Sequence, residues 1–433
     1  MLIQFNFNNY RSFKNETILD MSATKITEHP NHVAEIGKEK LLKVAAIYGA
    51  NASGKSNIFS AFDYMTYYVI NSFKFGGDSE IRQKKENRYR KVSPFLFDSK
   101  SKSEPSTFEV YFIDKSNDKH KTFQYGFSVN SEEVLEEWLY TKAKTSSTYK
   151  TIFYRKKGEE TDYSGIKKSR DIIEIALEQE ALIVSLGSKL KIDILKTVRE
   201  WFLKNEIANF GNPGEDFLRS RLLPYNFDTD RDVQRKVAKF FASFDESVKD
   251  FLVENNNKDK VDEIEVENDE NDEGVNLIIK TVHAMNDSDE NGYLNLMEES
   301  SGTLKMFSLY PSIESALELG SVLFIDELNS RLHPLLARNI IQIFENPEIN
   351  KNNAQLVFTT HDVWQLSNDL LRRDEIWFSE KDKNGISSLY SLVEFQDKDG
   401  DKIRKDESYV KNYIIGKYGA IPKLKSFDMF KGD

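Results

Sequence analysis

Hydrophobic patterning at the start of the chain predicts a mixed α/β fold. Residues Leu2 to Phe7 alternate between apolar and polar positions, which is typical of a half-exposed strand. Residues 41–48 (LLKVAAIY) are almost continuously apolar, as in a strand covered on both faces. After Gly49, apolar residues recur at helical spacing from Ser56 to Phe73. The pattern therefore predicts a buried strand, a turn and a helix, in that order.

The middle of the chain changes from strand patterns to helix patterns. An antiparallel meander is predicted by three segments rich in β-branched and aromatic residues, namely 107–113, 122–129 and 136–142. Helical spacing extends from about residue 170 to residue 202, and Gly187 interrupts it. We therefore expect a globular helical insertion there and not a long coiled coil. Two later strands are predicted at 275–285 and 293–297.

The turn after the first buried strand carries a phosphate-binding pattern. Residues 49–56 read GANASGKS and match GxxxxGK[ST] between a predicted strand and a predicted helix. Backbone N–H groups of such a loop, together with the helix dipole, attract a polyphosphate. Lys55 would reach the β- and γ-phosphates, and the Ser56 hydroxyl would bind Mg²⁺. The predicted nucleotide-binding residues of this loop are Gly49, Asn51, Gly54, Lys55, Ser56 and Asn57.

Two further apolar strands end in residues that can act on a phosphate. Residues 322–325 lead into Asp326 and Glu327, and residues 354–360 lead into His361. Since neighbouring residues of a strand face opposite ways, we expect Asp326 to hold Mg²⁺ through water. Glu327, on the other side, would orient or deprotonate an attacking water. His361 can donate to a γ-phosphate, with a purely structural histidine as the alternative interpretation.

A short polar segment before these strands is a candidate anion site. The sequence ESSGTLK at 299–305 precedes an apolar helical pattern. Ser300 and Gly302 would lie at the start of that helix, where backbone N–H groups can bind an anion. A helix cap with nothing bound is the alternative interpretation.

Composition narrows the class of protein. The chain has 433 residues, enough for two to three domains, and it contains no cysteine, which excludes disulfides, Cys-bound zinc and thiol catalysis. A formal net charge of −11 argues against a protein that coats nucleic acid, so any such contact would be local. No signal sequence and no apolar run of about 18 residues is found. We therefore expect a cytoplasmic protein that does not contact a membrane.

Two charged runs interrupt the globular pattern. The basic segment Arg82 to Lys91 is either a solvated surface or a contact with a phosphate backbone. The acidic tract at 262–273 predicts an exposed loop or a disordered tip. A metal site is the lesser alternative there, because the glycine placement of a calcium loop is missing.

Together, these motifs resemble the ATPase heads of the ABC superfamily, in particular its RecF/SMC/Rad50-like branch. The matching sequences are NYRSF at 9–13, the GKSN end of the P-loop at 54–57, SSGT at 300–303, FIDE at 324–327, LHP at 332–334 and TTHD at 359–362. The resemblance implies an α/β P-loop NTPase, an ABC-type ATPase head with an antiparallel β subdomain and a largely helical globular insertion. The expected domains are an N-terminal ATPase lobe at 1–165, the helical insertion at 166–260 and a C-terminal ATPase lobe at 261–433.

The same resemblance implies how the residues are used. Ser300 stands where the serine of the LSGGQ signature lies, and that signature caps the ATP bound at the P-loop of a second copy. Two ATP molecules, each with Mg²⁺, would then lie within a two-fold dimer. Glu327 resembles the catalytic carboxylate, His361 the switch histidine and residues 329–332 the D-loop. Segment 94–98, where a Q-loop glutamine is expected, contains none.

A narrower resemblance is to the RloA-like and AriA-like AAA/ABC ATPases of bacterial phage-defence and abortive-infection systems. Its sequences are SSGT, DELNSRLHP at 326–334, RRDEIWFSEK at 372–381 and YIIGKYGAIP at 413–422. It implies a separately encoded effector, such as a Toprim or RloB-like nuclease. Only about 70 residues follow His361, too few for a Toprim domain, so we expect the effector to be another chain.

Two other functions fit the same motifs. A DNA-repair ATPase of the RecF or Rad50 kind would hold duplex DNA directly, through the basic segment Arg82 to Lys91. A nucleotide-gated scaffold would capture a partner protein and hydrolyse ATP only incidentally. All three functions require the same nucleotide site.

Overall fold

The computed structural model describes residues 1–75, 91–115, 120–143, 146, 148–212, 214, 223–255, 264–265, 276–396, 400 and 402–422. Most of the basic segment Arg82 to Lys91 and of the acidic tract at 262–273 lies outside the described residues. The interpretations of both segments therefore stay predictions.

Strands and helices are numbered along the chain. The strands are β1 (Leu2–Asn8), β2 (Thr17–Asp20), β3 (Val33–Ile36), β4 (Glu39–Leu42), β5 (Val44–Tyr48), β6 (Ser106–Asp114), β7 (Lys121–Val129), β8 (Val134–Ala143), β9 (Lys150–Lys156), β10 (Glu206–Asn209), β11 (Val248–Asn255), β12 (Ile264–Glu265), β13 (Asn276–Ala284), β14 (Asn291–Asn295), β15 (Val322–Asp326), β16 (Gln355–Thr360), β17 (Ile376–Lys381) and β18 (Ser387–Ser391). The helices are α1 (Lys55–Asn71), α2 (Ser99–Ser103), α3 (Arg170–Ala176), α4 (Ile183–Lys189), α5 (Asp193–Leu203), α6 (Arg231–Ala242), α7 (Ser301–Leu319), α8 (Pro334–Glu345) and α9 (Tyr409–Ile414).

The central sheet has six strands in the order β10-β15-β16-β5-β17-β18. Its pairs are parallel except for β17 with β18, which are antiparallel. The ends of its parallel strands define two edges, which we call the carboxyl edge and the amino edge. The P-loop follows β5, Glu327 follows β15 and His361 follows β16, so all three lie at the carboxyl edge. This is the edge at which open α/β sheets bind ligands.

Strand β5 shows why its sequence is apolar throughout. Ala45 and Ile47 belong to one hydrophobic core, together with residues of α1 such as Phe62. Ala46 and Tyr48 belong to a second core, on the side of α7 and α8. Successive side chains of a strand point to opposite faces, so a strand covered on both faces has no polar face to expose. The predicted buried strand and the helix after it are confirmed.

Two larger antiparallel sheets and the antiparallel pair of β3 with β4 accompany the central sheet in the described residues. One is a six-stranded sheet in the order β2-β1-β6-β7-β8-β9, which contains the predicted meander. The other joins β11, β12 and β14 to β13. The pairing of β13 with β14 confirms the two strands predicted on either side of the polar turn.

Two sequence expectations change in detail. The strand expected at 41–48 is divided between β4 and β5 at Lys43, whose N–H donates to the His32 carbonyl and whose own carbonyl accepts from Leu356. The interval 166–260 contains the predicted helices, and it also supplies β10 to the central sheet and β11 to the sheet around β13. The domain boundaries at 165 and 260 stay predictions. Among the helices of the described ranges, none combines the length and the apolar character needed to cross a membrane.

Candidate nucleotide-binding site

The P-loop connects β5 to α1 through a tightly packed turn. Ala52 and Gly54 adopt positive φ angles of 63° and 118°. A Cβ atom at Gly54 would lie 2.6 Å from Ser387 Oγ, and one at Gly49 would overlap the Ser379 carbonyl oxygen. Strands β17 and β18 therefore press against the loop where the sequence has glycine.

Lys55 lies inside this loop. Its side chain is buried, and Nζ donates to the carbonyl oxygens of Gly49 at 2.8 Å and Ala50 at 3.1 Å. Burial lowers the pKa of Lys55, and the nearby carboxylates of Glu327 and Asp326 oppose this shift. Among the residues that the structure describes, the acceptors of this ammonium group are carbonyl oxygens of the loop itself, and a phosphate oxygen can replace them.

Asp326 is the buried carboxylate of the site. Its Oδ1 accepts from Thr359 Oγ1 at 2.6 Å, and Ser56 also donates to this carboxylate. Burial raises the pKa of Asp326, while the hydrogen bonds from Thr359 and Ser56 oppose the shift. A carboxylate beside a hydroxyl is a set of hard oxygen donors, which suits Mg²⁺. The two predicted metal ligands, Ser56 and Asp326, are therefore brought together.

Glu327 departs from the strand geometry that the sequence suggested. Strand β15 ends at Asp326, and Glu327 has a left-handed φ of 58°, so simple alternation of strand side chains does not place it. Its backbone N–H donates to Thr359 Oγ1 at 2.9 Å. One hydroxyl therefore holds both acidic positions, Asp326 through its side chain and Glu327 through its backbone. Sequence reasoning missed Thr359, although the TTHD motif contains it.

His361 lies directly beside Glu327. Its Nδ1 is 2.7 Å from Glu327 Oε2, and more than half of the histidine side chain is exposed. The neighbouring Thr360 hydroxyl donates to the Asn329 side chain, which connects the end of β16 to the segment after β15. Two of the three predicted catalytic residues thus form a pair open to solvent, and the third, Lys55, is buried in the adjacent loop.

The segment resembling the signature caps helix α7. Ser300 Oγ accepts from the Thr303 N–H at 3.1 Å, which confirms that Ser300 is the N-cap. A Cβ atom at Gly302 would lie 3.4 Å from the Arg331 carbonyl oxygen, so this turn approaches the segment that resembles the D-loop. Ser300 is an exposed residue, and its hydroxyl stabilises the start of the helix through the N–H and the hydroxyl of Thr303.

A buried lysine couples the signature helix to the segment after Glu327. Lys305 Nζ donates to the carbonyl oxygens of Leu328 at 2.8 Å and Ser330 at 2.6 Å. It also lies 4.1 Å from the centre of the Phe210 ring, which is a cation–π contact. Nothing in the local sequence pattern identified Lys305, because its partners are more than twenty residues away.

The N-terminal and C-terminal segments both contact the P-loop. Ser12 Oγ accepts from Asn57 Nδ2 at 2.7 Å and from Ser387 Oγ at 2.8 Å. The Ala50 N–H donates to the Ala420 carbonyl oxygen at 2.9 Å. Residues of the NYRSF and YIIGKYGAIP motifs therefore contact the P-loop and help to hold it in place.

A polar cavity of about 290 Å³ adjoins the site. Its lining includes Ser56 and Asp326 from the metal-binding pair and Arg11, Asp63 and Asn209 around them. A cavity of this volume with charged and amide groups is suited to a hydrated, polar ligand. Of the remaining predicted residues, Asn51 lies exposed on the P-loop.

Comparison with known proteins agrees with this geometry. Residues 44–363, about three quarters of the chain, match the family described as "AAA domain, putative AbiEii toxin, Type IV TA system". No curated protein gives a significant match. The matched range runs from the first residue of β5 to just beyond His361, so it includes every candidate site residue.

Proposed function

Because the chain belongs to this family of AAA domains and is a P-loop nucleotide-binding ATPase, we propose that it hydrolyses ATP slowly at a site that a second copy completes. One observation carries the proposal. The buried Lys55, the Ser56–Asp326 pair and the Glu327–His361 pair all lie at the carboxyl edge of the central sheet. This combination provides positive charge, a cation site and a base in one place.

Each residue has a distinct task in the proposed hydrolysis. Lys55 exchanges its carbonyl partners for phosphate oxygens and balances their charge. Glu327 orients a water and accepts its proton, while His361 holds the Glu327 carboxylate and donates to the γ-phosphate. Asp326 and Ser56 would hold Mg²⁺, which when bound neutralises charge on the phosphates.

The proposed second copy would contribute Ser300 and Gly302. Ser300 and Ser301 are exposed, and the pair of Glu327 with His361 is open to solvent. Helix N-termini such as that of α7 bind anions. These features support an ATP sandwiched between two copies, in the way that the resemblance to ABC-type ATPases implies.

The test uses a variant that keeps the shape of the site. We expect Glu327→Gln to bind ATP but to lose turnover by about 10²- to 10⁴-fold, as removal of a positioned base does. With MgATP, the variant should then accumulate as a dimer of twice the 50.2 kDa chain mass, measured by light scattering. Turnover at the wild-type rate would contradict the role of Glu327. If the variant loses turnover as expected but stays monomeric with MgATP, only the proposed dimer around ATP is contradicted.

We further propose that the chain is the sensor or scaffold subunit of an anti-phage defence complex. The description of its family includes a putative toxin and a toxin–antitoxin system, which supports a role in such systems. The proposed partner is a separately encoded effector, a Toprim or RloB-like nuclease. Co-purification with the product of an adjacent gene, and its release on ATP turnover, would test this role.

A DNA-repair ATPase is the alternative. Its support is the basic segment Arg82 to Lys91 of the sequence. The purified protein would then bind duplex DNA with an affinity that falls steeply as salt increases, because phosphate contacts release counterions. Absence of DNA binding at low salt would exclude this alternative.

A further inference from the structure

A second group of titratable side chains lies buried at the amino edge of the central sheet. His32 ends a short 3-10 helix, Glu345 is the last residue of α8 and Glu375 directly precedes β17. Each of the three is more than nine-tenths buried. Three segments that are far apart in sequence therefore bring one imidazole and two carboxyl groups together, at the edge opposite the P-loop.

The imidazole of His32 lies between the two carboxyl groups. Its Nδ1 is 3.1 Å from Glu375 Oε2, and its Nε2 is 3.4 Å from Glu345 Oε2. One potential ligand atom from each residue lies within 4.8 Å of the other two. In a tetrahedral site with bonds of about 2.1 Å, ligand atoms are about 3.4 Å apart. Small side-chain movements therefore suffice to bring the three onto one ion.

Each carboxyl group also has an oxygen left over. Glu345 Oε1 and Glu375 Oε1 are buried, and neither has a hydrogen-bond partner in the part of the chain that the structure describes. The two nearby cations are engaged elsewhere, Lys43 with a backbone carbonyl and Arg338 with another carboxylate. A buried carboxyl oxygen without a hydrogen-bond partner is unfavourable, and a bound cation removes that cost.

An ion can reach this group from solvent. A cavity of about 630 Å³ is lined by His32 and Glu345, together with the amide side chains of Asn31, Asn339 and Asn346. Amide oxygens and water can complete the coordination of an ion that enters by this route.

We propose that His32, Glu345 and Glu375 form a binding site for a divalent transition-metal ion of the Zn²⁺ or Mn²⁺ class. One imidazole nitrogen with two carboxylate oxygens is a ligand set for such ions, and Mg²⁺ or Ca²⁺ would prefer oxygen alone. The ion would join the segment before β3 to the end of α8 and the start of β17. It stabilises the fold at the amino edge and takes no part in nucleotide chemistry.

The test uses untagged, chelator-treated, nucleotide-free protein. We expect wild type to take up one equivalent of Zn²⁺ from ZnCl₂, by calorimetry and by metal analysis after gel filtration. His32→Gln and Glu345→Gln should weaken this binding by about 100-fold or more. Matched controls are His29→Gln, whose ring stacks on His32 at 4.7 Å, and Glu348→Gln, in the lining of the same cavity. Both controls should bind Zn²⁺ as wild type does.

Asp326→Asn separates this site from the nucleotide site, because it removes the carboxylate of the Ser56–Asp326 pair, the candidate cation site there. It should keep the equivalent of Zn²⁺, and X-ray absorption should show only nitrogen and oxygen neighbours. No Zn²⁺ or Mn²⁺ uptake by wild type would overturn the proposal. So would unchanged Zn²⁺ binding by Glu345→Gln, or loss of binding in Asp326→Asn. If His32→Gln fails to fold by circular dichroism, wild-type uptake and Glu345→Gln still decide the question.

Discussion

The two edges of the central sheet both bury carboxyl groups, but they surround them differently. At the carboxyl edge, the hydroxyls of Ser56 and Thr359 donate to Asp326, and Glu327 with His361 opens to solvent. At the amino edge, His32 contacts the carboxyl groups of both Glu345 and Glu375, and the Arg372 backbone N–H also donates to Glu375. Burial and the charge of Glu375 raise the pKa of Glu345 there to about 9.

The two edges of the sheet therefore have different structural roles. At the carboxyl edge, left-handed backbone at Ala52, Gly54 and Glu327 forms the turns that carry the candidate site residues. The amino edge connects segments that are up to 343 residues apart and buries the side chains of His32, Glu345 and Glu375 between them. We therefore expect changes at the carboxyl edge to alter turnover and changes at the amino edge to alter stability.

The largest expected effect comes from Lys55→Ala at the carboxyl edge. Loss of the ammonium group should weaken ATP binding by at least about 100-fold, because a buried charge-assisted contact to phosphate is removed. Calorimetric titration with MgATP measures this change. The control is His32→Gln at the amino edge, which should bind ATP like wild type. If both variants lost ATP affinity equally, the claim that only the carboxyl edge binds the nucleotide would be contradicted.

An intermediate effect is expected from Thr359→Val. The substitution keeps the volume and removes the hydroxyl that donates to Asp326 and accepts from the Glu327 N–H. We expect turnover to fall by about 10- to 100-fold, because both acidic groups lose their positioning. The free energy of unfolding should decrease by only about 1–3 kcal/mol. Steady-state ATPase assays and urea unfolding measure the two quantities, and Thr359→Ser should restore turnover.

An effect on stability, with none on turnover, is expected at Lys115, which lies at the amino edge. Its Nζ donates to the Asn352 carbonyl oxygen at 2.6 Å, and burial lowers the pKa of Lys115 to about 8. Above pH 8 the unfolded chain then binds more protons than the folded chain. The free energy of unfolding should therefore rise by at most about 1.4 kcal/mol per pH unit between pH 8 and 10.5.

Lys115→Met should lack this rise and leave ATP turnover unchanged. Urea unfolding at pH 7.5, 9 and 10 compares the two proteins. An identical pH dependence of both would show that Lys115 titrates normally in the folded state.

The sequence predicted those parts of the site that are local. The P-loop and the ends of β15 and β16 are contiguous patterns, so the positions of Lys55, Asp326 and His361 in the fold could be predicted from them, while their roles stay predictions. Glu327 was assigned as a residue, but its placement by strand alternation was wrong, because the backbone leaves the strand with a left-handed turn.

The rest of the site depends on the order of strands. Thr359 reaches Asp326 because β16 pairs with β15, and no periodicity along the chain encodes that pairing. Ser12 reaches Ser387 across 375 residues, and the group around His32 joins three distant segments. Contacts of this kind arise from tertiary packing and leave no signal at a fixed spacing.

Mixing two inactive variants tests most directly whether a second copy completes the nucleotide site. Lys55→Ala disables the P-loop, and Ser301→Arg blocks the exposed start of α7 without changing the Ser300 cap. In a two-fold dimer, a mixed pair contains one site with both changes and one intact site. The mixture should regain up to about a quarter of wild-type ATP turnover. A mixture no more active than its separate components, while mixed dimers form, would contradict the account.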